Sequence, residues 1–186
     1  MFKNEGIPGK ILAQKEIYKG PIFTLNKQKI KTPDGLTVDR DVILHGSAVT
    51  ILAFTADQHV LLNSEYRVGV NAESLSLPAG LINEGETPVQ AAKRELLEET
   101  GYQAKKIEIM TTSTVSAGFS TEKVVLVLAQ IESTKTKQQH FDSDEFVNSQ
   151  LIRYSHLKQL IAQRRVRSSQ AIATVGYYEM FYKDKQ

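Results

Sequence analysis

Glu95, Glu98 and Glu99 stand within five residues of one another in the stretch AGLINEGETPVQAAKRELLEETGY, residues 79–102. Like charges at helical spacing cost ~0.2–0.5 kcal/mol per pair. Solvated acidic faces usually place Lys or Arg four residues after each Glu. Here Glu99 itself follows Glu95 at that spacing and Tyr102 follows Glu98, so the repulsion is not relieved that way. Arg94 can neutralise at most part of the charge. Three hard oxygen donors on one face suit a small divalent cation, and Mg²⁺ in particular binds a few carboxylates together with waters and substrate phosphates. From the helix alone, a metal site and a solvated charged face are equally open.

The element that must position these carboxylates is a helix from Pro88 to Thr100. Thr87 supplies its N-cap, Pro88 its first helical residue and Gln90 the partner of a capping box. Gly101 follows as the left-handed stop. At about 100° per residue, Glu95, Glu98 and Glu99 fall within roughly a third of the circumference, beside an apolar stripe of Val89, Ala92 and Leu96. Ala91 is expected to project among the carboxylates, its small side chain leaving space above them.

Around this helix, 186 residues with a formal charge of +2 suit one compact domain, or one domain with a small appendage. Hydrophobic residues at 41% and charged ones at 24% are ordinary for a globular protein. No apolar run reaches the roughly 20 residues of a membrane span, and Met1 to Gln14 lacks the apolar core of a secretory signal, so no membrane partner and a cytoplasmic location are expected. Zero cysteines exclude disulfides, thiolate metal sites and a cysteine nucleophile. The small net charge argues against a nucleic-acid partner.

The first third, IYKGPIFTLNKQKIKTPDGLTVDRDVIL, alternates apolar and polar residues around Pro33-Asp34-Gly35, which predicts a small antiparallel unit ending near Leu44. SAVTILAF and HVLLNSEYR flank TADQ as a strand pair opening the main sheet, the run from Ala48 to Phe54 reading as a buried strand. EKVVLVLAQI, residues 122–131, is a further strand. ESTKTKQQHFDSDEF reads as a long exposed loop of the kind that is often functional. Ser155 is expected to cap a helix carrying Leu157, Leu160 and Ile161. Ser168 or Ser169 opens a last helix on which Ile172, Val175 and Tyr178 recur. Strands mixed with helices, without strict alternation, point to an α/β (α+β) chain with a mixed sheet flanked by helices.

The wider spacing reads Gly80, five residues, Glu86, seven residues, then Arg94-Glu95-Leu96-Leu97-Glu98-Glu99-Thr100-Gly101-Tyr102. It resembles the Nudix box without a gap. Seven of the positions demand one residue type, a chance of about one in 10⁸ per starting point at roughly 7% each. Resemblance to the Nudix hydrolases implies an α/β/α sandwich over residues 46–186 behind an N-terminal β unit over residues 1–45. It also implies Mg²⁺-dependent hydrolysis, with Mn²⁺ as an alternative ion, of a nucleoside diphosphate linked to another moiety. Carried over by position, it makes Glu95, Glu98 and Glu99 metal ligands with the backbone carbonyl of Ala79, just before the box glycine Gly80. Glu86 and Arg94 become a supporting ion pair.

Beyond the box, IYKGPIFTL, VDRDVILHGSAV, EYRVGVNAESLSLPAGLI, SAGFSTEK and VRSSQAIATVGYY are similar to the ADP-ribose pyrophosphatase group. That resemblance implies a homodimer exchanging its N-terminal strands and cleavage of ADP-ribose to AMP and ribose 5-phosphate. It further implies substrate contacts by Phe23 in stacking, by Arg40, by Arg67 near the phosphates or ribose, and by Gly80. Core packing for Phe23 and a surface ion pair for Arg67 are the plainer alternatives. Two positions depart from the group. Ala117 stands where it commonly has proline in Ser-Pro-Gly-Phe, and Ser76 where it often has glutamate, which leaves another nucleoside diphosphate sugar, such as GDP-mannose or ADP-glucose, open. For the general base the resemblance points to a carboxylate on a late loop, here Glu145, then Asp144, with Asp142 in the same loop; Glu122 and Glu99 remain further candidates. A non-catalytic ADP-ribose sensor would be expected to have lost box carboxylates, and a decapping or diadenosine hydrolase to carry a larger basic or aromatic platform. Arg164, Arg165 and Arg167 read as cations at a helix C-terminus. His45, His59, His140 and His156 show no metal-ligand spacing, and Tyr177, Tyr178, Phe181 and Tyr182 read as packing residues.

Overall fold

Alternating polar and apolar residues near the N-terminus fold as β1 (Lys10–Lys19), β2 (Phe23–Lys31) and β3 (Thr37–His45), an antiparallel sheet in the order β1-β2-β3. The computed structural model describes residues 5–135 and 147–185. Pro33-Asp34-Gly35 makes the turn between β2 and β3, with Gly35 at φ 92° and its N–H on the Thr32 carbonyl at 2.9 Å. These strands belong to the first of two compact units, Met1–Gly46 with Thr114–Lys123. The later segment, which the sequence reading did not place there, joins β3 through Ile43 N–H on the Phe119 carbonyl (2.7 Å) and Thr121 N–H on the Ile43 carbonyl (2.9 Å). Every residue of β1 is exposed, and among the described residues none of this unit enters a hydrophobic core.

The second unit, Ser47–Ser113 with Val124–Gln186, is built on the other sheet. Its strands are β4 (Ala48–Phe54), β5 (His59–Arg67), β6 (Ala72–Ser76), β7 (Ala79–Leu81), β8 (Ala104–Thr114), β9 (Lys123–Ile131) and β10 (Val147–Arg153). The order is β10-β5-β4-β9-β8, with β6 on β5 and β7 on β4. The sheet is mixed, since β4 runs parallel to β9 and antiparallel to β5 and β7. Only Phe54 and Val60 pair β4 with β5; beyond them the strands part, and β6 and β7 fill the opening.

Period 2 sorts β4 between two cores. Val49, Ile51 and Ala53 pack with Ala91, Ala92 and Leu96 of the acidic helix, while Leu52 and Phe54 face Leu157 and Leu160 of α2 (Tyr154–Ala162) and Ala171, Val175 and Tyr178 of α3 (Ser169–Phe181). Helices on both faces of a mixed sheet give the expected α/β/α sandwich. Three local readings change. Ser155 does not cap α2, which starts at Tyr154 behind an Arg153 N-cap that makes no side-chain cap bond. Ile172 is 42% exposed, because α3 turns Ala171, Thr174, Val175 and Tyr178 inward. Ala91 is fully buried in the core rather than standing among the carboxylates.

Candidate active site

Pro88–Glu95 forms α1, opened by the expected capping box: Gln90 N–H donates to Thr87 Oγ1 at 3.3 Å and Thr87 N–H to Gln90 Oε1 at 2.8 Å. The next five residues, Leu96–Thr100, continue as a π-helical turn that Gly101 closes at φ 75°. Because i→i+5 bonding widens the turn, successive side chains rotate through a smaller angle than in an α-helix. The three carboxylates differ in their surroundings: one Arg94 nitrogen joins Glu95 and Glu98, whereas Glu99 is held from the sheet. Glu98 is about half-exposed, at 45% of its side chain, whereas Glu99 is only 6% exposed.

Arg94 organises the outer part of the turn. Its Nε and one terminal nitrogen fork onto Glu86 at 3.0 and 2.9 Å, and the same terminal nitrogen reaches the Leu81 carbonyl at 2.8 Å. The other terminal nitrogen bridges Glu95 at 2.7 Å and Glu98 at 3.0 Å. Glu86, then Glu95 and Glu98, push the guanidinium pKa further up, and the hydrogen bonds from Arg94 hold Glu86 below the usual carboxylate value. Gly80 makes room for Glu95: a Cβ there would overlap its carboxyl group.

Glu99 is held from the sheet. Its Oε2 accepts from Asn63 Nδ2 at 3.0 Å and from the Ala79 N–H at 3.2 Å. Ser149 donates to Asn63 Oδ1 at 2.6 Å, and its Oγ lies 3.1 Å from the Glu99 carbonyl oxygen. Asn63 pairs with Ser149 on one side of β5 and Ser76 on the other. Asn63 and Ser149 were not singled out from the sequence. The one available signal was an amide interrupting the apolar run of HVLLN, now seen to be 1% exposed.

Among the described residues, no three Asp, Glu or His side chains converge closely enough to hold one metal ion. One Arg94 nitrogen lies between Glu95 and Glu98, neutralising part of their charge as expected. The donor set still fits a hard divalent ion, since three carboxylates stand within five consecutive residues and Gly80 admits the Glu95 carboxyl group against β7.

The substrate candidates fall in both units. Arg67 pairs with Glu65 and lines a cavity of about 490 Å³ that includes Ser76. Phe23, 39% exposed beside Tyr18 at a ring distance of 5.8 Å, and Arg40, which donates to the Asp39 carbonyl at 2.8 Å, lie in the N-terminal unit, as does Glu122. Asp142, Asp144 and Glu145 lie outside the described residues. Arg164, Arg165 and Arg167 follow the C-terminus of α2, where the sequence places them, while the capping bonds themselves come from the backbone. The donors are the N–H groups of Gln163, Arg164, Arg165 and Val166, with Arg164 left-handed at φ 61°.

A mixed sheet between helices, with an acidic turn braced by an arginine against the strand that carries a glycine, defines a hydrolase of the Nudix class. The chain matches the NUDIX domain over residues 44–174 and belongs to that family. It is 30% identical to the ADP-ribose pyrophosphatase of Bacillus subtilis across 92% of each chain. It is 29% identical, over the same shares, to the methanol dehydrogenase activator of Bacillus methanolicus. The crystal structure of an ADP compounds hydrolase superposes with a TM-score of 0.79 over 95% of each chain at 22% identity, which establishes the shared fold. Among the described residues, no helix is long and apolar enough to cross a membrane.

Proposed function

We propose that this chain is a homodimeric, Mg²⁺-dependent hydrolase, acting in the cytoplasm, that cleaves the pyrophosphate bond of ADP-ribose to AMP and ribose 5-phosphate. The observation that carries this reading is the braced turn, with Glu95, Glu98 and Glu99 beside Ala79 and Gly80, in a chain similar along 92% of its length to a protein named for that reaction. Glu95, Glu98, Glu99 and the Ala79 carbonyl would hold the cation. When bound, it supplies charge neutralisation at the phosphate oxygens and orientation of the attacking water. Arg94 keeps its fork on Glu86 whether or not its other nitrogen holds Glu95 and Glu98, so those two carboxylates can be released without freeing the turn. Asn63 and the Ala79 N–H fix Glu99. A carboxylate oxygen of Glu145 takes the water proton as the water oxygen bonds to phosphorus and the bridging P–O bond breaks. Arg67 meets the phosphates or ribose, and Phe23 and Arg40 receive the adenosine.

Ala117 and Ser76 support a second reading, cleavage of another nucleoside diphosphate sugar such as GDP-mannose or ADP-glucose. Incubation with Mg²⁺ or Mn²⁺ and a panel of ADP-ribose, ADP-glucose, GDP-mannose, NADH and diadenosine polyphosphates decides between them by the products formed. ADP-ribose is expected to turn over fastest; preference for NADH or a dinucleoside polyphosphate would refute both readings. In the same assay Glu99→Gln is expected to lower turnover by orders of magnitude with the fold retained, and Glu145→Gln by about 10²–10⁴. Near-normal turnover in either variant would remove the role assigned to that residue.

A further inference from the structure

We infer that the cavity between β6 and the start of α3 is a binding site for a sugar phosphate, built around Arg165 and Arg167. The cavity measures about 490 Å³, within the range of small-molecule sites, roughly 300–1,000 Å³. Its walls are fixed from beneath. Leu75 of β6 bridges to Val166, which is 1% exposed and part of the core on that face of the sheet, and Leu75 packs against the same core. The backbone is thereby pinned at Val166, between Arg165 and Arg167, which both line the space.

The charge of this lining is unbalanced. Arg67, Arg165 and Arg167 face a single carboxylate, Glu73, which already accepts from Ser64 Oγ at 2.6 Å. Arg67 has Glu65 as its partner, but among the described residues Arg165 and Arg167 have no carboxylate within 4.0 Å. The capping bonds of α2 come from backbone donors and leave the side chains of Arg165 and Arg167 out of that bonding. Two guanidinium groups left free beside a cavity match a phosphate, whose oxygens accept their paired donors. Ser168 and Ser169 bring in the first turn of the 13-residue α3, whose N–H groups and dipole also favour an anion. The remaining wall, with Ser74, Ser76 and Gln170, offers the neutral donors and acceptors that sugar hydroxyls need.

The cavity adjoins the acidic turn without using it. Ser76 is the strand partner of Asn63, which holds Glu99. Gln170 lies 3.5 Å from Thr50 Oγ1, and Thr50 pairs with Ala79. The choice of ribose 5-phosphate as probe rests on the function proposed above; the cavity and its charge do not.

Titration calorimetry of the full chain with ribose 5-phosphate, in buffer containing a chelator, tests the site without turnover. Wild type is expected to bind ribose 5-phosphate and not ribose. Arg165→Ala and Arg167→Ala should each weaken binding about tenfold or more, with the lysine variants in between, as expected for loss of charge-assisted pairs. A double alanine variant within twofold of wild type, or wild type that binds ribose as well as its phosphate or binds neither, would overturn the inference. Failure here with ADP-ribose still hydrolysed leaves the proposed reaction standing, whereas binding that depends on both arginines without hydrolysis leaves the site standing. A KM for ADP-ribose rising in parallel with the lost affinity would identify the ligand as the sugar phosphate half of the substrate; an unchanged KM would identify a free sugar phosphate.

Discussion

Arg94 makes five hydrogen bonds, to Glu86, Glu95, Glu98 and the Leu81 carbonyl, from a side chain 26% exposed. Hydrogen bonds to charged groups contribute about 1.5–3 kcal/mol each, though members of one network do not add. The same geometry leaves no room for a Cβ at Gly80 unless the Glu95 carboxyl group moves. Alanine there would put its Cβ into the Glu95 carboxyl group, which Arg94 holds in place at 2.7 Å. We expect Gly80→Ala to destabilise the chain by about 1–3 kcal/mol, as overpacking does, and to reduce turnover more than tenfold because Glu95 must move. Thermal unfolding and steady-state kinetics check this, and a variant with wild-type values for both would show that the space is not needed. These residues were legible because the box lies in one continuous segment, where spacing alone reports proximity. Asn63 and Ser149 were not, since they reach Glu99 from strands 36 and 50 positions away in the chain.

Elements differed in legibility for a related reason. β4, β5 and β9 carry long apolar or alternating runs, and the capping box and Gly101 mark both ends of the acidic helix, so these stand out in the sequence. β8, AKKIEIMTTST, is largely polar, and β6 and β7 are short pieces defined by the strands they pair with. The π-helical turn was hidden because a period of 3.6 was assumed throughout the helix. Between helices, Glu179 of α3 meets Lys183 at 2.9 Å and Lys158 of α2 at 3.1 Å. The hydrogen bond from Lys183, helped by the neighbouring Tyr154 hydroxyl and the Lys158 ammonium, overcomes partial burial and brings its pKa from the ordinary 4.5 down to about 2. A carboxylate more acidic in the folded than in the unfolded chain stabilises the fold fully above its unfolded pKa. That contribution is lost as pH falls through the folded value. Glu179→Gln should therefore lower the melting temperature at neutral pH, with the gap from wild type closing between about pH 4.5 and pH 2. Melting curves for the two proteins that stay parallel across this interval would show that the pairings contribute nothing.

At the scale of the molecule, the first unit poses a problem that its own residues do not solve. Three strands need a shared hydrophobic face or a packed neighbour for independent stability, yet β1 is exposed at every position and no described residue of the unit joins a core. Ile11, Leu12, Ile17 and Tyr18 are each about half-exposed on that strand. Such apolar surface on an edge strand invites pairing with another chain. A second copy is the partner consistent with the homodimer proposed above, and it would bury these side chains by symmetry. Replacing Ile11 and Ile17 together by Asp tests this directly, because exposed side chains can be charged without disturbing the packing within the chain. Light scattering after size exclusion should give wild type at twice the chain mass and the double variant at the mass of one chain. Wild type already running as a monomer, or a variant that stays dimeric, would show that β1 is not the joining surface.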